Sequence, residues 1–208
     1  NNEPDGVSPA MVRAIAEELG VEVELIQFNG PGDVADAALN DEWDIANIAA
    51  EAERARIVTF SPAYCEIQAT YLLPPSSPVT DIDQVDVPGN RIAVKERSAY
   101  DLWLTANLEH ATLVRTASLD DAFTRFQEDG LEVLAVLRPK LVEQQSLMPG
   151  STLFDESFTA VQQSIGCRAE HELAVNYLQG FVQKSKDNGL IASLIDRYGV
   201  SGRLSVAP

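Results

Sequence analysis

Histidine and cysteine are nearly missing from this chain, with two of each among 208 residues. His110 and His171 are too few to build a metal site on imidazoles. Cys65 and Cys167 lack zinc-ligand spacing, and no Cys-x-x-Cys pair occurs. Basic residues are also scarce: 15 Lys+Arg stand against 32 Asp+Glu, a formal net charge of -17. Such a surface repels phosphate backbones, which argues against nucleic acid as a partner. It offers no polybasic contact to a membrane surface either. The acidity itself reads as a solubility feature. No apolar run approaches the roughly 20 residues of a membrane-spanning helix. The sequence has no internal repeat, no low-complexity stretch, no nucleophile–histidine pair and no metal cluster, and no cofactor is expected. The opening stretch Asn1 to Gly6 is polar. The chain is read as a mature or trimmed form, so that stretch says little about compartment.

What is present is an ordinary globular balance, 45% hydrophobic and 23% charged. The length allows one large domain or two small ones. Ala10, Met11, Val12, Ile15, Ala16 and Leu19 recur at helical spacing, and Gly20 follows as a stop. Val21 to Phe28 is predicted as a strand, and Asn29 to Asp33 as a turn. Val34 to Leu39 reads as a short amphipathic helix and Asp44 to Ile48 as the next strand. Strand, helix, strand implies parallel neighbours joined by a crossover helix. A strand over Glu66 to Leu73 runs into Pro74-Pro75-Ser76-Ser77-Pro78, the clearest linker in the chain.

A second alternating unit follows. Strands are predicted over Arg91 to Val94, Thr112 to Thr116 and Val133 to Leu137, with helices over Ser98 to Leu108 and Ser118 to Glu128. Ser118 can cap its helix, with Asp121 at the third helical position. Phe158 to Ile165 is a further strand, and helices over Leu173 to Lys186 and Leu190 to Tyr198 close the chain. The fold class is therefore α/β. Two lobes are expected, one over 1–75 plus 160–208 and the other over 76–159. Each is a small sheet flanked by helices, and a cleft between lobes is a common place for a small ligand.

Certain segments carry a family likeness. Gly6 to Ile15 is similar to "GFDVDLAKAI". Asp44-Ile45 through Glu53-Arg54-Ala55-Arg56, then Phe60-Ser61-Pro62-Ala63-Tyr64, is similar to "D-[VI]…ERAKxxxFSxPY". Ala93 to Tyr100 is similar to the turn "VxxGSTY", and Gly166 and the closing helices also fit. In order and spacing these pieces resemble the family-3 extracellular solute-binding proteins, amino-acid-type receptors of ABC importers. That resemblance implies the two-lobe, type II periplasmic-binding-protein fold with two crossing hinge strands. It further implies a secreted, periplasmic, monomeric protein that hands a small molecule to a membrane permease. The family has a strand upstream of its first helix. Here the chain starts just before that helix, and a processed, truncated or partly recorded chain is expected.

In open α/β sheets, ligands bind beyond the carboxyl ends of strands. Asn47 to Glu51 would sit there, where small residues such as Ala49 let backbone approach a ligand. Arg54 falls where the family's carboxylate-binding arginine lies; a guanidinium grips a carboxylate through two parallel bonds. The alternative is a surface arginine paired with Glu51 or Glu53. The resemblance places an acid that meets a ligand's amino group where Leu137-Arg138 stand here, so Glu51 is either the Arg54 partner or a replacement for that contact. Arg56 is expected to face solvent. Ser98, Ala99 and Tyr100 open a helix whose free N–H groups suit an anion; Ser98 can equally be a plain cap. Arg97 replaces a family glycine and would add charge at the rim.

Arg138 either faces the cleft or simply starts a helix before Pro139. Tyr64 is a cleft wall or a core tyrosine. Gln162 and Gln163 point to opposite faces, so one of them can reach the hinge. Trp43 and Trp103 read as packing. The resemblance makes the crossing strands antiparallel neighbours, so Cys65 and Cys167 either form a disulfide or remain separate buried thiols. The arginines favour a carboxylate-bearing ligand. The same fold also carries dehydratases acting on cyclic carboxylic acids, for which Glu51 or Glu66 could serve as acid or base. A sensor domain cut from a larger receptor is the third class.

Overall fold

The computed structural model describes residues 3–208; Asn1 and Asn2, which begin the polar opening stretch, lie outside the described residues. The helices are α1 (Val7–Leu19), α2 (Pro31–Ala37), α3 (Ala99–Asn107), α4 (Leu119–Glu128), α5 (Arg138–Ser146), α6 (Glu172–Asp187) and α7 (Leu190–Arg197). The strands are β1 (Ile45–Ala49), β2 (Val58–Phe60), β3 (Cys65–Leu73), β4 (Arg91–Lys95), β5 (Thr112–Thr116), β6 (Val133–Leu137), β7 (Thr152–Leu153), β8 (Thr159–Arg168) and β9 (Ser205–Val206). The chain divides into two compact units, Asn1–Glu66 with Gln162–Pro208, and Ile67–Val161. It crosses from one to the other inside β3 and inside β8. The proline-rich stretch 74–78, expected at the crossing, lies within the second unit. The reason is that β3 is already paired with β6 over Ala69–Leu72.

In the first unit, α1 buries Val7, Met11, Val12, Ile15 and Ala16, whereas Leu19, read at the same spacing, is 52% exposed. Gly20 ends it in a left-handed conformation, φ 67°, and turns its N–H back to Ala16 and Glu17. β1 runs antiparallel to β8, Ile45 opposite Cys167 and Ala49 opposite Gln163. β2 pairs antiparallel with β8 as well. Among the described residues the parallel crossover expected for this part of the chain is therefore absent: β1 is a partner of the late strand. Residues 21–28 form no strand. They have the aliphatic alternation of one, but a strand exists only by pairing: the Val21 N–H turns back to the Ala16 carbonyl, and Glu22 to Phe28 make no backbone hydrogen bond among the described residues. Trp43 is buried and donates its indole N–H to the Val34 carbonyl at 2.9 Å, so it packs as expected.

The second unit matches its sequence pattern closely. β4 pairs parallel with β5 and with β6, and α3 and α4 make the crossovers. β6, Val-Leu-Ala-Val-Leu, is buried from Val133 through Val136, as a central strand covered on both faces must be. Ser118 caps α4 by accepting the Asp121 N–H at 3.0 Å. Leu72, Ile92, Val94, Leu104, Leu134 and Leu141 form the fully buried core. Trp103 packs on Phe158, ring centroids 5.3 Å apart. Pro139 in the first turn starts α5, so Arg138 opens a helix, one of the two readings of that residue. No helix among the described residues is long and apolar enough to cross a membrane.

Candidate functional site

The expected ligand residues fall into two groups, one on each unit. In the first unit, β1 ends at Ala49, and the Ala50 N–H is held by the Gln162 carbonyl at 3.0 Å. The chain then turns through Glu51 into a single 3-10 turn, Arg54–Arg56, with the Ala55 N–H on the Glu51 carbonyl at 2.9 Å. This turn folds Arg54 back over the end of its own strand. Its Nη1 donates to the Ala49 carbonyl at 3.0 Å, and the residue is only 4% exposed. Arg56 is exposed. Burial raises the Glu51 carboxyl above the usual carboxylate range, opposed by the nearby Arg54 charge. The small residues that follow β1 thus deliver a buried cation to its carboxyl end.

Asn47 and Tyr64 meet in a closed ring of hydrogen bonds. The Tyr64 hydroxyl donates to Asn47 Oδ1 at 3.2 Å and lies 2.7 Å from Ser8 Oγ. Asn47 Nδ2 donates to the Ser8 carbonyl at 3.1 Å. Tyr64 is fully buried, and that burial pushes its hydroxyl pKa well up. The ring ties β1 to the start of α1, so Tyr64 is a core tyrosine with a polar handle. Ser8 was not singled out by the sequence; its position three residues before Met11 gave no chemical signal. Gln162 donates to Glu66 Oε1 at 2.7 Å across the start of β3.

In the second unit, the turn from β4 into α3 is built around Asp101. Ser98 caps α3: its Oγ accepts the Asp101 N–H at 3.1 Å and donates to the Lys95 carbonyl at 2.8 Å. The Asp101 carboxylate, almost fully buried, accepts the Arg97 N–H at 2.8 Å and Arg115 Nε at 2.9 Å. Arg97 is held in the left-handed region at φ 58°, which costs a side chain about 1–2 kcal/mol. Ser98, Ala99 and Tyr100 are all buried at the helix start. The Ser98–Asp101 pair was legible as the capping pattern S-x-x-D, but Asp101 was not assigned a part.

Arg138 opens α5 and donates Nε to Gln68 Oε1 at 2.8 Å. Its Nη1 reaches the Phe154 carbonyl at 3.0 Å, and its Nη2 the Asp155 and Glu156 carbonyls at 2.6 and 3.3 Å. It therefore clamps the 154–156 segment. Cys65 and Cys167 are free, buried thiols. The Tyr64 N–H meets the Gln163 carbonyl at 2.8 Å, which sets the start of β3 beside the middle of β8. Cys65 then opposes Val206, while Cys167 opposes Ile45 and Thr59. No group of side chains able to hold a metal ion occurs among the described residues.

The family model for bacterial extracellular solute-binding proteins, family 3, matches residues 1–201. No curated protein matches the chain. Among solved structures, the solute receptor for L-cysteine of Neisseria gonorrhoeae is similar at TM-score 0.78 and 18% identity, covering 100% of this chain and 89% of that one. A mutant of ArgBP from T. maritima is similar at TM-score 0.77 and 18% identity, covering 96% and 87%. An ancestral amino acid-binding protein, a precursor of cyclohexadienyl dehydratase, is similar at TM-score 0.74 and 19% identity, covering 92% and 84%. These likenesses show the fold, that of the type II periplasmic binding proteins.

Proposed function

Since the chain belongs to the bacterial extracellular solute-binding proteins, family 3, we propose that it is the solute-capturing receptor of an ABC importer. Its ligand is a small, carboxylate-bearing, amino-acid-like molecule, taken up in the periplasm by a monomer and passed to a membrane permease. The observation that carries this reading is the guanidinium of Arg54, buried and held over the carboxyl end of β1 by the Ala49 carbonyl. A cation positioned this way by backbone is pre-organised for a carboxylate and loses little freedom on binding.

Arg54 is the first unit's contact for a carboxylate. The N–H groups at the start of α3, with the positive end of its dipole, are the second unit's own anion contact. Arg97 adds a second positive side chain next to that helix start. Glu51 receives a ligand amino group, and Asn47, Ala49 and Gln162 frame the strand end. The similar proteins named for L-cysteine and as ArgBP support an amino-acid-like ligand class. A thermal-shift screen over organic acids and amino acids tests this, because a ligand of the folded form raises the melting temperature. Acidic compounds should give the largest shifts. A preference for cationic amino acids would refute the reading.

A second reading is enzymatic. The likeness to a dehydratase precursor and the raised carboxyl of Glu51 favour a proton-transfer role on a cyclic carboxylic acid. Product formation from such acids, followed by NMR, separates the two; a receptor returns its ligand unchanged.

A further inference from the structure

Asp101 puts a buried negative charge at the base of the turn that is to accept an anion. The residue is 3% exposed, and each carboxylate oxygen has its own donor. Oδ2 takes the Arg97 N–H at 2.8 Å, and Oδ1 takes Arg115 Nε at 2.9 Å. Arg115 comes from β5, and its Nη2 also donates to Thr105 Oγ1 at 2.7 Å. The Thr105 hydroxyl in turn donates to the Asp101 carbonyl at 2.7 Å. Arg115 therefore holds α3 at two points one turn apart. The N–H groups of Ser98, Ala99 and Tyr100, all buried residues, make no hydrogen bond among the described residues. They are the donors left over for a ligand carboxylate.

Two like charges meet at this turn, the ligand carboxylate and Asp101. An uncompensated carboxylate beside three free N–H groups repels an incoming anion, and low-dielectric surroundings strengthen that repulsion. Arg115 supplies the opposite charge from the edge of the sheet, where its side chain is partly exposed. We propose that the Asp101–Arg115 pair is the positioning device of the second unit's anion contact. Asp101 holds Arg97 in its left-handed conformation. Arg115 neutralises Asp101, so that the turn accepts a carboxylate. Neither side chain is assigned a ligand contact; both act through the backbone and field of the turn. The proposal rests on the receptor reading, in which the start of α3 receives a carboxylate.

The test follows the Ser98, Ala99 and Tyr100 amides of the 208-residue chain by two-dimensional NMR. Acetate, the minimal carboxylate, replaces chloride at neutral pH and constant ionic strength. Saturable shifts at these three amides are expected in the parent. Arg115→Gln should weaken acetate binding about threefold or more, because the Asp101 charge is then unopposed. Arg115→Lys keeps the charge and should bind like the parent. Asp101→Asn keeps an acceptor for the Arg97 N–H and should bind acetate at least as tightly as the parent. The double variant Asp101→Asn, Arg115→Gln should return to within about twofold of the parent. Urea unfolding of each variant reports folding separately, and Asp101→Asn alone decides the matter if Arg115→Gln does not fold. A pair that only braces the fold gives the opposite order, with Asp101→Asn weakened and the double variant weakest. That order, or unchanged binding in Arg115→Gln, overturns the proposal. Shifts at Arg54 without shifts at the three amides also overturn it and leave the receptor reading standing; shifts at neither overturn both.

Discussion

Gly166→Ala tests the packing of the first unit at its tightest point. Gly166 lies in β8, opposite Ala46 of β1 and Phe60 of β2. A Cβ built there would sit 2.4 Å from Val58 Cγ1 and 3.2 Å from two ring atoms of Phe60. Ordinary carbon contact needs about 3.5–4.0 Å, so the valine must move by more than ~1 Å. It has little room: Val58 is 1% exposed, and its branched side chain holds one χ1 well. Overpacking of this kind costs about 1–3 kcal/mol. At roughly 2–4 °C per kcal/mol for a chain of this size, the melting temperature should fall by several degrees. The assay is thermal and urea unfolding followed by circular dichroism, on Gly166→Ala, Val58→Ala and the double variant. Removing the clashing methyls should make the double variant more stable than the sum of the singles, with a coupling of about 1 kcal/mol or more. A single variant that melts with the parent, or a coupling near zero, would refute the reasoning.

Three further outcomes follow from the same structure. Tyr64→Phe removes the hydroxyl that joins Asn47 and Ser8 in a buried ring, and should cost about 1–3 kcal/mol in urea unfolding; an unchanged midpoint would make the ring ornamental. Glu51 has a folded-state pKa raised by burial, so the folded protein holds the proton more tightly than the unfolded chain. Its ionisation therefore lowers stability as pH rises past the ordinary glutamate value of about 4.3. Glu51→Gln should melt above the parent at neutral pH and converge with it near pH 4; a gap that persists in acid would contradict this. Both thiols should resist a thiol reagent in the native state and react on unfolding, since burial raises Cys65 to about 12 and Cys167 in the same direction. A mass unchanged by reductant is expected, and a disulfide-sized shift would overturn it.

How much of this was readable beforehand depends on how local the cause is. β5 and β6 match their predicted bounds because Thr112 to Thr116 and Val133 to Leu137 are short apolar or β-branched runs bounded by breaks. The caps at Ser98 and Ser118 were readable because the acceptor and the donor are three residues apart. Residues 21–28 misled because alternation marks a potential strand, whereas pairing depends on a neighbour elsewhere in the fold. β2 is three residues long, too short for periodicity to register. Arg54 was singled out by its resemblance to the family's motif, but its bond to Ala49 could not be read that way. Arg138 could be read as a helix start, yet the carbonyls it clamps lie on a distant segment. The cysteines show the same limit: neighbouring strands were foreseeable, while the register that separates the thiols was not.

The proposed grip of Arg54 on a ligand carboxylate is open to direct measurement. Isothermal titration calorimetry with the best acid from the thermal-shift screen, on the parent, Arg54→Lys and Arg54→Ala, measures that grip directly. Charged hydrogen bonds of about 1.5–3 kcal/mol correspond to a loss of roughly 10- to 150-fold in Arg54→Ala, with Arg54→Lys in between. Unchanged affinity in Arg54→Ala, with the protein folded, would contradict it.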